Sequence, residues 1–272
     1  MNFTVEKEQE LLEFLLEKIK NKSKNTIKSL LSHEMVLVNK KGITKYNYLL
    51  KKNYTVEIIK KINDIDIIYE DNNIIVVNKP SGLLSISTEK ETEKTLYKYI
   101  SDYVKKSNKN AKIFVVHRLD KDTSGIVIFS KNQDFKNKLQ QNWNDEVIRN
   151  YYAVVEGILE KKSGTIKSYL KENSFHKTYS SNKGELAITN YEVIKTNDLY
   201  SLLKVNIKTG KKNQIRVHLS DINHPIVGDK KYGSKIKAKR LMLCAYNVEF
   251  KNNSKYKFEI PYPEEFKKYI KA

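Results

Sequence analysis

The chain has 272 residues, 39% of them hydrophobic, with only nine Gly and four Pro, which is typical of a globular protein rather than a disordered or fibrous one. Its 51 Lys and Arg against 32 Asp and Glu give a net charge of +19, which favours a polyanionic partner such as nucleic acid, although genome-wide bias toward Lys could also raise the charge. The longest apolar runs span about six residues, short of the roughly 20 that a membrane span needs. The single Cys excludes an internal disulfide, and the first residues carry no secretory signal. We therefore expect a cytoplasmic protein with no membrane partner.

Residues 1–58 are predicted to form a small separate α/β module. Apolar spacing predicts an amphipathic helix over 6–20 and a second helix over 24–32, which Ser23 can cap. Strands are predicted over 35–39 and 54–58, with a turn at 39–42.

Residues 59–66 are polar and form the predicted linker, and residues 67–272 the predicted large domain. Helices are predicted over 95–105 and 135–143, and strands over 74–78, 113–116, 126–129, 151–155, 187–194, 200–208 and 241–250. The fold class is therefore α+β, with a mixed, mainly antiparallel sheet flanked by helices.

The segment His117–Gly125 is the most informative stretch, because it is a polar turn between two apolar runs. Loops at strand ends are where a rigid scaffold holds reactive groups. Asp120 is the candidate reactive carboxylate, and the alternative is a turn-forming Asp that bonds its own backbone. His117 and His218 are interpreted as structural histidines, and Cys244 as a buried, inert thiol.

Five segments occur in the order found in one enzyme family: 71–82, 117–125 (His-Arg-Leu-Asp-Lys-Asp-Thr-Ser-Gly), 149–157, 187–191, and 209–219 with 224–229. Together they resemble the RluA-type pseudouridine synthases, which isomerise uridine within RNA by breaking the base–ribose bond at nitrogen and rejoining it at carbon 5. The resemblance covers residues 67–272. Residues 1–58 resemble the S-four-type RNA-binding domain through a looser motif.

The resemblance implies that Asp120 is the catalytic carboxylate, as nucleophile or base, that Arg216 is its charged partner, and that Tyr151 stacks on the target base. It implies that Arg118 fills the space left by the flipped base and that Lys79 contacts phosphate. In the small module, Lys24, Lys28 and Lys40 are the predicted RNA contacts. No cofactor and no metal are implied, in agreement with the lack of phosphate-loop, dinucleotide or metal-spacing motifs.

One departure concerns the segment before Gln214. Where the family commonly reads Thr-Gly-Arg-Thr-His-Gln, this chain has Thr209-Gly210-Lys211-Lys212-Asn213-Gln214. We expect this change to affect substrate contacts more than the reaction.

The predicted partner is RNA, and large-subunit ribosomal RNA is preferred to transfer RNA as the substrate. The predicted oligomeric state is a monomer. The alternative functions are a non-catalytic RNA-binding or ribosome-assembly factor on the same fold, and an RNA hydrolase or glycosidase working through two acids or a metal.

Overall fold

The computed structural model describes the whole chain except residues 1, 21–22, 33–34, 59, 63–64, 90, 93, 253 and 272. It divides into two compact units, Met1–Ile68 and Tyr69–Ala272. Each unit is described by itself.

The first unit packs two helices against a small antiparallel sheet. Its elements are β1 (Asn2–Thr4), β2 (Gln9–Glu10), α1 (Leu11–Lys18), α2 (Lys24–Ser32), β3 (Val36–Val38), β4 (Lys41–Gly42), β5 (Leu49–Leu50), β6 (Thr55–Ile58) and β7 (Lys60–Ile62), followed by β8 (Ile65–Glu70), which runs into the second unit. The sheet order is β1-β6-β3-β4, and its core includes Phe14, Ile27 and Val56, all with no exposed surface. Ser23 caps α2 as predicted, because its Oγ accepts the Thr26 N–H at 3.2 Å.

Two predictions for this unit need correction. The first helix begins only at Leu11, because Gln9 and Glu10 pair as a strand with Leu49 and Leu50. In its described part the predicted linker, 59–66, contains β7 and the first two residues of β8, where Lys61 lies opposite Asp66. Residues 59, 63 and 64 of it lie outside the described residues.

The second unit is a large mixed, mostly antiparallel sheet flanked by helices, which confirms the predicted α+β class. Its strands are β9 (Ile74–Lys79), β10 (Phe114–Val115), β11 (Ser124–Ser130), β12 (Ile148–Glu156), β13 (Ser163–Glu172), β14 (Thr178–Ser181), β15 (Glu185–Thr196), β16 (Tyr200–Ile207), β17 (Leu243–Asn252) and β18 (Ser254–Glu259). Its helices are α3 (Leu96–Ser107), α4 (Gln133–Gln141), α5 (Trp143–Glu146), α6 (Gln214–Asp221) and α7 (Glu264–Ile270), with a 3-10 turn at Lys230–Tyr232.

The central strands β11 and β17 run parallel, side by side, and position the loops around the site. The strand order there is β14-β13-β15-β16-β12-β17-β11-β9. β11 is buried along its whole length, as its continuous apolar sequence predicts. Gly125 lies opposite Ala245, where a Cβ would come within 2.2 Å of the Ala245 carbonyl oxygen. Only glycine therefore allows this close approach of the two strands.

Candidate active site

The loop between β10 and β11 carries Asp120, and a second loop, residues 79–85, holds it in place. Ser85 Oγ donates to the Leu119 carbonyl at 2.7 Å and accepts the Leu119 N–H at 3.1 Å. Ser81 Oγ donates to the Asp122 carbonyl at 2.6 Å, and the Gly82 N–H donates to the Lys121 carbonyl at 2.9 Å. Backbone contacts on both sides of Asp120 thus fix the position of its carboxylate.

Lys79 ties the same two loops together from inside. Its side chain is fully buried, and its Nζ donates to the carbonyls of Pro80, Leu83 and Lys121 at 3.1, 2.7 and 2.9 Å. Burial lowers the pKa of Lys79 to about 7, although the nearby Asp122 and Asp120 oppose that shift. Three acceptors match the three protons of an ammonium group, so we assign the charged form to this site. The predicted phosphate contact does not fit this placement, because the ammonium is enclosed by protein carbonyls.

Asp120 opens onto a cavity of about 330 Å³, within the range of roughly 300–1,000 Å³ seen for small-molecule sites. The lining residues come from the Asp120 loop, α5, β12, the end of β16 with the loop after it, the start of α6 and the start of β17: Val116, His117, Arg118, Leu119, Asp120, Thr123, Trp143, Asn144, Arg149, Tyr151, Ile207, Gly210, Lys211, Asn213, Gln214, Ile215, Arg216 and Leu243. The cavity thereby brings together four of the residues singled out in the sequence, which are Asp120, Tyr151, Arg216 and Arg118.

Arg216, in α6, lies between two carboxylates, but it is bound mainly to one of them. Its Nε and Nη2 each donate at 2.7 Å to the two oxygens of Asp229, whose side chain is fully buried. Its Nη1 is 3.8 Å from Asp120 Oδ2. Burial of the guanidinium opposes its charge, but the hydrogen bonds and charge of Asp229 raise the pKa of Arg216. The predicted Asp120–Arg216 pair is present, and Asp229, for which no role was predicted, is the closer partner.

Asn213 makes the closest contact with Asp120. Its Nδ2 donates to Asp120 Oδ2 at 2.5 Å, and its Oδ1 accepts from the Tyr232 hydroxyl at 3.1 Å. Asn213 precedes α6 with φ of 54°, in the left-handed region, which Asn tolerates better than most residues. The departure from the family motif thus falls on a residue that touches the candidate catalytic carboxylate.

Tyr151 stands in the middle of β12, between Val205 of β16 and Ala245 of β17. Burial raises the pKa of Tyr151 to about 12, against the opposing charge of Arg149, so its hydroxyl is neutral at physiological pH. Arg149, two residues earlier on the same face of the strand, is 4% exposed and lines the same cavity. Arg149 belongs to the segment 149–157, and no role was predicted for it.

Both histidines interpreted as structural are held by hydrogen bonds. His117 Nε2 accepts the Ile128 N–H at 3.1 Å, and its ring stacks on Trp143 with centroids 4.6 Å apart. Burial lowers the pKa of His117 to about 3, helped by the charge of Arg149. His218 is fully buried, with ring nitrogens 2.9 Å from Thr189 Oγ1 and 3.0 Å from Ser168 Oγ.

A second cavity, of about 830 Å³, lies on the other side of Asp120 and shares Asp120, Asn213 and Arg216 with the first. The five lysines that line it are Lys121, Lys212, Lys230, Lys231 and Lys239. We call this set the lysine rim. It includes much of the basic run 230–240, for which the sequence left open a solvated loop or a phosphate-facing role.

The other predicted RNA contacts lie in the first unit. Lys24, Lys28 and Lys40 are all exposed, and Lys28 Nζ lies 5.6 Å from the ring centroid of Tyr46. Among the described residues, no group of three or more His, Cys, Asp or Glu side chains could hold a metal ion. In the same part of the chain, no helix is long and apolar enough to cross a bilayer.

Known proteins resemble this chain in sequence and in fold. The sequence model of the RNA pseudouridylate synthase family matches residues 73–221. An uncharacterized RNA pseudouridine synthase of Aquifex aeolicus is 32% identical over 299 aligned positions, covering 98% of this chain and 95% of the relative. The ribosomal large subunit pseudouridine synthase D of Borreliella burgdorferi is 37% identical over 216 positions, covering 74% of this chain and 66% of the relative.

The structure of human RNA Pseudouridylate Synthase Domain Containing 4 resembles this fold with a TM-score of 0.63 and 22% identity, covering 74% of this chain and 89% of that one. Fold and relatives define an RNA-modifying isomerase. The chain belongs to the RluA-type RNA pseudouridine synthase family and converts uridine to pseudouridine in RNA.

Proposed function

We propose that this enzyme acts on uridines of large-subunit ribosomal RNA with Asp120 as its catalytic carboxylate. The observation that carries the assignment of Asp120 is its place in the 330 Å³ cavity with the Tyr151 ring and the Arg216 charge. A cytoplasmic, monomeric enzyme fits this substrate, and light scattering of the purified protein tests the monomer.

Asp120 acts as nucleophile or base on the target nucleotide, and both roles need an ionised carboxylate. Arg216 Nη1 lies 3.8 Å from Asp120 Oδ2 and the Asn213 amide donates to the same oxygen, so a cation and a hydrogen-bond donor stand beside the carboxylate. Because one oxygen, Oδ2, is occupied by Asn213, we propose that Oδ1 faces the substrate.

Tyr151 supplies a flat, buried wall for the flipped base, and its neutral hydroxyl can donate or accept a hydrogen bond there. Arg118 is exposed at the mouth of the cavity and is proposed to fill the space left in the RNA. The lysine rim would bind backbone phosphates beside the target, and Lys24, Lys28 and Lys40 would bind more distant RNA.

The proposed substrate rests on the names of two relatives, the large-subunit synthases of Borreliella burgdorferi and Blochmanniella floridana. Mapping pseudouridines in all RNAs of cells with and without the gene tests it. We expect sites that disappear only from large-subunit ribosomal RNA. Loss of sites from transfer RNA alone would contradict this target.

Incubation of the pure protein with uridine-labelled ribosomal RNA from the deleted strain tests the chemistry. Pseudouridine is the expected product. Free uracil would indicate a hydrolase, and unchanged uridine with tight binding would indicate a non-catalytic RNA-binding factor.

A further inference from the structure

We propose that Arg149 is a further catalytic residue, whose guanidinium stabilises negative charge on the uracil ring while the base is detached from the ribose. The inference rests on the proposed function and deepens it. It follows from the charges in the cavity. The roles proposed for Asp120, Tyr151 and Arg216 do not explain why a second guanidinium, that of Arg149, is buried there.

The guanidinium of Arg149 is buried without a carboxylate partner. Its Nη2 donates to the carbonyls of Lys208 and Ile207 at 3.2 and 3.5 Å, while its Nε is buried with no hydrogen-bond partner among the described residues. No carboxylate among the described residues forms an ion pair with it, and burial lowers its pKa. Arg216 in the same cavity, by contrast, has two hydrogen bonds to Asp229.

A buried cation without a counter-charge is costly in the free enzyme, so its presence in this cavity needs an explanation. Only four of the 51 basic residues of this Lys-rich chain are Arg, and Arg149 is one of them. A group that carries negative charge for part of the reaction would balance it. The cavity that Arg149 lines is where the target base is proposed to lie.

The surroundings hold Arg149 at the cavity wall. The Trp143 ring lies under the guanidinium, with its centroid 5.9 Å from Cζ. Gly210 also lines the cavity, and a Cβ there would come within 2.9 Å of Arg149 Nη1. The absence of a side chain at position 210 therefore leaves room for Nη1 beside the cavity.

Cleavage of the base–ribose bond produces the negative charge that Arg149 would stabilise. When the bond from N1 to the ribose carbon breaks, its electron pair stays on N1, and the base becomes an anion delocalised onto its carbonyl oxygens. A bond from carbon 5 to the ribose carbon then forms, carbon 5 loses its proton, and N1 gains one. Atoms and electrons balance without any co-reactant, and a fixed cation lowers the energy of the anionic stage.

Replacement of the side chain separates its charge from its packing. R149Q removes the charge but keeps an amide that can bond the Lys208 carbonyl, and R149K keeps the charge. We expect kcat to fall about 10²–10³-fold in R149Q, as for loss of one oxyanion-hole donor, and less in R149K. RNA affinity should change little in either. K204Q, at an exposed position on β16 away from the cavity, controls for the loss of one positive charge.

RNA transcribed with 5-fluorouridine in place of uridine gives a second measurement. If Arg149 had only a structural role, R149Q would slow the reaction of both RNAs by the same factor. Fluorine makes the base a more stable anion, so detachment should depend less on Arg149. In single turnover, R149Q should slow the loss of intact target uridine more than the loss of 5-fluorouridine. If R149Q does not fold, the same ratio is measured for R149K.

An equal defect on both RNAs, or wild-type turnover in R149Q, would overturn the role of Arg149 while leaving the proposed function intact. A wild-type enzyme that forms no pseudouridine in ribosomal RNA would overturn the proposed function, and this inference with it.

Discussion

Arg216 holds the buried Asp229 through two hydrogen bonds of 2.7 Å and reaches Asp120 with a third nitrogen at 3.8 Å. Asp229 therefore orients the guanidinium, and Asp120 shares its charge. D229N keeps the shape of the side chain but removes the charge that Arg216 needs, and breaking a buried pair in this way costs about 3–5 kcal/mol. We expect urea unfolding to show that loss, together with a lower kcat. Unchanged unfolding in D229N would contradict the role of Asp229.

Asn213 is expected to position Asp120. N213A removes the hydrogen bond to the carboxylate, and hydrogen bonds to charged groups contribute about 1.5–3 kcal/mol, so kcat should fall roughly 10- to 100-fold with little change in KM. N213G separates this effect from backbone strain, because Gly accepts the φ of 54° without cost. N213H, the residue common in the family at this position, should keep more activity than N213A. Equal turnover in N213A and wild type would contradict the positioning role.

Lys79 is expected to act on stability rather than on RNA affinity. K79M leaves the carbonyls of Pro80, Leu83 and Lys121 without their donor, and an unsatisfied buried polar group costs about 1–3 kcal/mol. The salt dependence of RNA binding should be unchanged, since no phosphate contact is lost. K239M, in the lysine rim, is the matched control and should reduce the salt dependence without lowering stability. If K79M instead reduced the salt dependence of RNA binding and left stability unchanged, Lys79 would have the phosphate contact that the sequence predicted.

His117 should make the protein less stable in acid. Its pKa is lowered from 6.5 to about 3 by burial, so the unfolded chain binds the proton first as pH falls. The stabilisation is complete above pH 6.5 and is lost between pH 6.5 and about 3, by up to about 1.4 kcal/mol per pH unit. H117Q, which does not titrate but can accept the Ile128 N–H, should show a flatter dependence of unfolding free energy on pH. Identical slopes in both proteins would contradict this.

The sequence predicted the strands whose apolar residues are continuous, such as β9 and β11, because both of their faces are buried. It missed β13, in which polar Ser, Lys and Glu residues alternate with few apolar ones and most side chains are exposed. It also did not identify α6 as a helix, because that helix is buried on all sides and shows no amphipathic period.

For the site, sequence motifs identified the residues but not their partners. Asn213 and Asp120 are 93 positions apart, and only the fold brings them together. Asp229 belongs to the segment 224–229, which is part of the family resemblance, yet its two hydrogen bonds with Arg216 depend on the turn after α6. Lys79 was predicted to contact phosphate from its place in the first motif, because a Lys rarely occurs fully buried and nothing in the sequence indicates the three carbonyls around it.

Single-turnover conversion of ribosomal RNA by D120N is the decisive experiment on Asp120 as the catalytic carboxylate. The substitution keeps the size of the side chain and removes its charge. We expect no pseudouridine from D120N, with RNA affinity and unfolding free energy close to those of the wild-type protein measured beside it. Pseudouridine formed by D120N at the wild-type rate would contradict the assignment of Asp120.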